Sequence, residues 1–243
     1  MLRGTQIWCL TDMRTHFGER LQSIHSRVIA MGTHATDMIK QGAEAIIHSD
    51  ISLAGEVIRK DDFIDQAERD LLFETIRLVM QETPVASDLR FLVSTLGVIG
   101  EIEKVADDAV KLARRGQKLG GEFPAELKVL LSTVSEQSRS QFVHALKLYS
   151  EYSKELAESI IAQEEVVDTG YSEARHKVYE MMKANPDNPA KYVRIIEVFH
   201  ALEHISDHAA SIATRMQLVY EPAEQQITLQ ESIAPVEAES QLE

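Results

Sequence analysis

The stretch Glu103-Lys104-Val105-Ala106-Asp107-Asp108-Ala109 returns as Glu203-His204-Ile205-Ser206-Asp207-His208-Ala209, displaced by 100 residues. One such return is cheap. It is joined by Leu53-Ala54 and Leu156-Ala157, Ile58 and Ile161, Ile64 and Val167, and Asp65 and Asp168, all displaced by 103. The order is kept along the chain, and a three-residue difference in one loop accounts for the change of displacement. An ordered series of this kind marks an internal repeat. The chain therefore reads as two copies of one unit.

Each copy reads as three helices. Apolar residues recur at helical spacing from Phe17 to about Ala45, through Leu21, Ile24, Val28 and Met31. Asp50 caps a second helix that runs to about Gln81 and stops before Pro84. Ser87 is placed to cap a third, reaching about Gln117. Gly120 and Gly121 mark the boundary between the copies, and Pro124 suits the first turn of a fourth helix. Ser153 opens a fifth. The run Asn185-Pro186-Asp187-Asn188-Pro189 stops it and starts a sixth, with Asn188 as cap, that ends near Tyr220. Helices of roughly 25 to 30 residues suit antiparallel bundles. The expected fold is all-α: two tandem three-helix antiparallel bundles related by a pseudo-twofold. Residues 1–12 read as an extension without period, with Met13 a possible start. Residues 13–118 and 122–220 are the two repeats, and 221–243 form an acidic tail without periodicity.

Composition agrees. Only six prolines and eleven glycines punctuate 243 residues, too few for a β protein rich in turns. No segment approaches the roughly 18 to 20 apolar residues of a membrane span, and Met1 to Leu10 is too mixed for a secretory signal. Cys9 is the sole cysteine, which leaves neither a disulfide framework nor a thiolate metal site. These features point to a cytoplasmic protein. Net charge is −14, and the six glutamates of 221–243 account for less than half of it. Acidity spread over the helices argues against binding a nucleic-acid backbone. Arg114 and Arg115 are a short run that reads as a solvated helix end.

Four acid pairs stand four residues apart: Asp61 and Asp65, Glu103 and Asp107, Glu164 and Asp168, Glu203 and Asp207. Four residues of helix turn through 400°, so each pair lies on one face, about a turn apart. In an antiparallel hairpin, residues equidistant from the turn lie level. Asp65 with Glu103, and Asp61 with Asp107, are each centred on Pro84; the second-half pairs are centred between Asn185 and Pro186. Each hairpin can therefore gather four carboxylates at one level. Acids so crowded repel unless protonated or neutralised by cations. Oxygen ligands suit magnesium and manganese, and bridging carboxylates can also hold iron or zinc. Glu103 and Asp107 interrupt the stripe of Leu96, Gly100 and Val110, and Glu203 and Asp207 interrupt that of Ile196 and Ala210, unlike acids on a solvated face. His200, one turn from Glu203, is a candidate ligand with no counterpart at Gly100. His204 and His208 match Lys104 and Asp108, positions that read as exposed. Two Glu-x-x-His runs, Glu173 to His176 and Glu197 to His200, raise the alternative of a ferritin-like di-iron or metal-storage protein. Their glutamates, Glu173 and Glu197, lie more than 100° around their helices from the acid pairs, and no Glu pair completes that set. No Gly-rich phosphate loop or nucleophile elbow is present, so an enzyme is not expected.

Five segments resemble the PhoU family: Met13-Arg14-Thr15-His16-Phe17, Arg59-Lys60-Asp61-Asp62-Phe63-Ile64-Asp65, Asp88-Leu89-Arg90-Phe91-Leu92, and the two repeated stretches quoted first. The resemblance covers about Met13 to Tyr220. It implies a cytoplasmic negative regulator of phosphate uptake and of the phosphate-starvation response. Such a protein acts between the phosphate ABC transporter and a sensor histidine kinase, meets the membrane only through those partners, and often self-associates as a homodimer. It also implies metal at the four acid pairs. Lys111 and Ser211 depart from the family pattern, where many relatives carry Asn.

Overall fold

Asp50 shows how the sequence sets the turns. Ser49 takes a left-handed conformation (φ 58°), and Asp50 then accepts a hydrogen bond from the Leu53 backbone at 2.9 Å, closing one helix and opening the next. The computed structural model describes residues 5–82 and 84–221, with side chains from residue 16 onward. These form six helices: α1 Thr5–His48, α2 Ile51–Gln81, α3 Ala86–Leu119, α4 Ala125–Ser150, α5 Lys154–Ala184 and α6 Pro189–Tyr220. No strand occurs among the described residues.

Most caps fall where the sequence puts them. Ser153 Oγ accepts from Leu156 N at 3.3 Å, and Asn188 Oδ1 from Lys191 N at 3.2 Å, with Pro189 the first helical residue. Two differ. Ser87 lies inside α3, whose cap position is Val85 with no side-chain bond. Pro124 precedes α4 rather than entering its first turn. Gly120 and Gly121, with φ of 55° and 87°, end α3 in conformations that a side chain would resist. α1 is longer than its apolar pattern suggests and runs back to Thr5 through the supposed extension. The tail expected over 221–243 lies, from residue 222, outside the described residues.

α1, α2 and α3 pack on one another as the first three-helix bundle, while in the second α6 packs on both α4 and α5 and those two pack together. The bundles then join side by side, α3 against α6 and α1 against α4. One hydrophobic core runs through both, from Ile24, Met38 and Ile64 to Phe142, Ile195 and Ile205. The α3–α6 seam lies on the pseudo-twofold, and it places the functional side chains.

Candidate functional site

In the first hairpin, α2 carries Asp61 and Asp65 and α3 carries Glu103 and Asp107. All four fall within one electrostatic neighbourhood. Burial, then Asp65 and Asp107, raise the Asp61 carboxyl above its usual range. Burial, then Asp107, Glu68, Asp65 and Asp61, do the same to Glu103. Arg114, acting on Asp61, Arg69, 3.8 Å from Asp65, and Lys111, acting on Asp107 and Glu103, oppose this repulsion. Glu68 is a fifth member that the spacing argument missed; its carboxyl is raised by burial and by Asp65. The missed signal was simple: Glu68 lies three residues beyond Asp65, level across Pro84 with Gly100, which has no side chain to pair with it.

The second hairpin is tighter. Asp168, Glu203 and Asp207 each offer an oxygen within 4.8 Å of the others. Glu164 completes the set, its carboxyl raised by burial and by Asp207 and Asp168. Burial raises Glu203 and Asp207 as well, with Asp168 adding to both. Glu203 Oε2 is buried without a hydrogen-bond partner. A buried carboxylate oxygen left so is costly, and a proton or a cation would relieve it. The donor chemistry fits: oxygen ligands alone in the first hairpin, oxygen with imidazole in the second.

His200 stands beside this set, its Nε2 3.8 Å from Glu203 Oε2. Burial and the neighbouring His204 lower its pKa, favouring the neutral ring. His204 is also present, with Nε2 3.9 Å from the same oxygen and Nδ1 3.9 Å from Asp108 Oδ2. The glutamates of the di-iron alternative are engaged elsewhere. Glu197 pairs with Arg115 at 2.8 Å and Glu173 with Lys177 at 2.7 Å.

Along the α3–α6 seam the sequence reading needs correcting. Asp108 read as exposed, yet it is 1% accessible, and Glu101 is 3% accessible. Neither His204 nor His208 is a free surface residue. His208 Nδ1 lies 2.9 Å from Glu101 Oε2, and its Nε2 3.5 Å from Asp108 Oδ2. Burial alone would lower His208, but the hydrogen bonds with Asp108 and Glu101 outweigh it and lift its pKa to about 9. Burial likewise works against Glu101, yet bonds from His208 and Arg215 bring its pKa down to about 2. Arg215 donates to Glu101 at 3.0 Å across Gly97, where a Cβ would stand 2.6 Å from a guanidinium nitrogen. Lys111 and Ser211, the two departures from the family pattern, belong to this network. Lys111 donates to Asp108 at 2.7 Å and Ser211 to Glu101 at 3.2 Å. Arg115, read as a solvated helix end, crosses the seam to Glu197.

Comparison with known proteins gives the family. A sequence model of the PhoU domain matches twice, over residues 28–116 and 131–216. The chain belongs to the PhoU family. The two matches enclose the two hairpins with all eight paired acids. The phosphate-specific transport system accessory protein PhoU homolog of Pseudomonas aeruginosa is 31% identical over 209 residues, covering 83% of this chain and 86% of that one. Its counterpart in Pseudomonas putida is 29% identical over 199 residues, covering 81% and 77%. The crystal structure of PhoU from Pseudomonas aeruginosa superposes with a TM-score of 0.80 at 29% identity, over 84% of this chain and 98% of that one. PhoU from Streptococcus pneumoniae, at 21% identity and a TM-score of 0.78, has the same fold. No helix among the described residues is long and apolar enough to cross a membrane.

Proposed function

We propose that this PhoU-family chain is a cytoplasmic negative regulator of phosphate uptake and of the phosphate-starvation response. It acts through the phosphate ABC transporter and a sensor histidine kinase, as a homodimer, and holds cations at its hairpin carboxylates. The observation that carries this reading is the pair of PhoU domains spanning most of the chain, shared with relatives named as accessory proteins of phosphate-specific transport. Long half-exposed helices offer docking faces for partner proteins, and nothing in the sequence frames a nucleophile or a general base.

The residues suited to hold metal are Asp61, Asp65, Glu103 and Asp107, joined by Glu68, in the first hairpin. In the second they are Glu164, Asp168, Glu203 and Asp207, with His200. A bound cation would supply positive charge that neutralises these acids. The carboxylates themselves would then tie α2 to α3 and α5 to α6, and so fix the faces that partners meet. Iron, zinc, manganese and magnesium are all compatible with this donor set.

Deletion of the gene is expected to switch on phosphate-starvation genes when phosphate is plentiful, measured with a reporter, and reintroduction of the intact gene should restore repression. A deletion strain that represses normally would sink the regulatory reading. Metal analysis of the chain purified without chelator tests the cation part separately. Asp65→Asn with Glu103→Gln should remove the metal of the first hairpin.

A further inference from the structure

We propose that His200, Glu203 and His204 form a binding site for a divalent transition-metal ion of the zinc class, present in the second half only, with Asp108 of the first half positioning His204. This deepens the metal reading of the second hairpin, on which it rests: it shares Glu203 and His200 with that reading and adds His204 and its support from Asp108.

The three residues stand at i, i+3 and i+4 on α6, so their side chains share one face. Each offers a ligand atom within 4.8 Å of the others. Glu203 Oε2 lies 3.8 Å from His200 Nε2 and 3.9 Å from His204 Nε2, too far for a hydrogen bond with either. This is the same oxygen that is buried without a partner. Zinc binds nitrogen and carboxylate oxygen at about 2.0–2.2 Å, and a tetrahedral arrangement sets such ligand atoms about 3.4 Å apart. The observed gaps need to close by only a few tenths of an ångström. An ion there would satisfy the orphaned oxygen and both imidazoles at once.

The surroundings fit a metal site. The opposite nitrogen of His204, Nδ1, faces Asp108 Oδ2 at 3.9 Å, an ion-pair separation that must shorten by about 1 Å to become a hydrogen bond. A carboxylate behind a ligating histidine fixes its ring and raises its basicity. Asp108 is itself held by Lys111 and His208, so this support is rigid. On the solvent side, His200 and His204 keep 47% and 40% of their side-chain surface accessible, which leaves an entry path and room for water in a fourth position. Glu203 also belongs to the group with Asp168 and Asp207, so its carboxylate can bridge to an ion held there. Imidazole selects against magnesium and calcium and favours zinc, cobalt, nickel and copper. In the first half the equivalent positions are Gly100 and Lys104, which supply no such ligand.

The test is calorimetric titration of the metal-free full chain with zinc chloride, in the presence of millimolar magnesium, followed by imidazole NMR signals. Zinc should shift the His200 and His204 resonances at stoichiometric ratio. His200→Ala with His204→Ala should weaken that binding at least 30-fold while circular dichroism and melting stay those of a folded protein. Glu173→Gln, outside both carboxylate clusters, should leave it unchanged. Unaltered zinc affinity in the double histidine variant overturns the proposal, as does zinc binding abolished by Asp168→Asn while both histidine signals stay unshifted. Failure of the first-hairpin cluster to bind any metal would count against the preceding reading alone, because His200 and His204 lie outside it.

Discussion

The two hairpins share eight acids at matched positions, yet they differ at one level. Where the first half has Glu68 facing Gly100, the second has Tyr171 facing His200, with the two rings 5.6 Å apart. One step along the helix, Lys104 is answered by His204. The first site is thus a cage of oxygens alone. The second pairs a tighter oxygen group with imidazoles, backed by a carboxylate lent from the other half. A duplicated fold kept its acids and diverged in the residues around them. The shared part sets where charge gathers, and the divergent part sets which cation each site suits.

The most disruptive way to break this comparison is to remove the carboxylate that supports the second site from the first half. Asp108→Ala would leave Lys111, His204 and His208 without their common anion at a seam between bundles. It should cost about 3 kcal/mol of stability, read by urea denaturation. A loss within about 0.5 kcal/mol would mean that the seam charges are not coupled as drawn. Grafting sharpens the comparison. Gly100→His with Lys104→His gives the first hairpin the spacing of the second, and a Cβ at Gly100 meets nothing within 4 Å. Zinc affinity there should rise about tenfold, or 1.4 kcal/mol. It should still fall short of the second site, because the position equivalent to Asp108 holds His208 in the other half, and such supporting groups are worth about 10- to 100-fold. The smallest effect concerns repulsion itself. Asp65→Asn in the metal-free protein should stabilise it by a few tenths of a kcal/mol, since it relieves like charges four residues apart. A clear destabilisation would show that Asp65 serves its pair with Arg69 more than it strains the cluster.

The hairpins were legible because their logic is local. Pro84 and the Asn185-Pro186 turn fix which residues lie level, and a spacing of four fixes which share a face. Asp50, Ser153 and Asn188 cap as their chemistry dictates. Glu68 was hidden by its distance from the paired motif, although it belongs to the same face. The seam was not legible from either helix alone, because Asp108 sits beside Asp107 in sequence but turns toward α6 rather than α2. α3 packs on three other helices, so positions that would be exposed in a two-helix hairpin are covered. One pattern could have disclosed it. Glu101 and Asp108 are seven apart, as are His208 and Arg215, and at the shared position 108/208 the first half carries an acid where the second carries a base.

That arrangement has a consequence for how the two halves recognise each other. Asp108 and His208 occupy equivalent places on the pseudo-twofold and face one another there. Two first halves brought together in the same way would set Asp108 against Asp108, two aspartates drawn out of water with a second Glu101 nearby. Two second halves would set His208 against His208, with Ala201 standing where the glutamate should be. Only the mixed pairing gives each buried charge its opposite. Discrimination here is written as a penalty on the wrong partners as much as a reward for the right one. The seam closes one half onto its sibling and leaves like halves repelled.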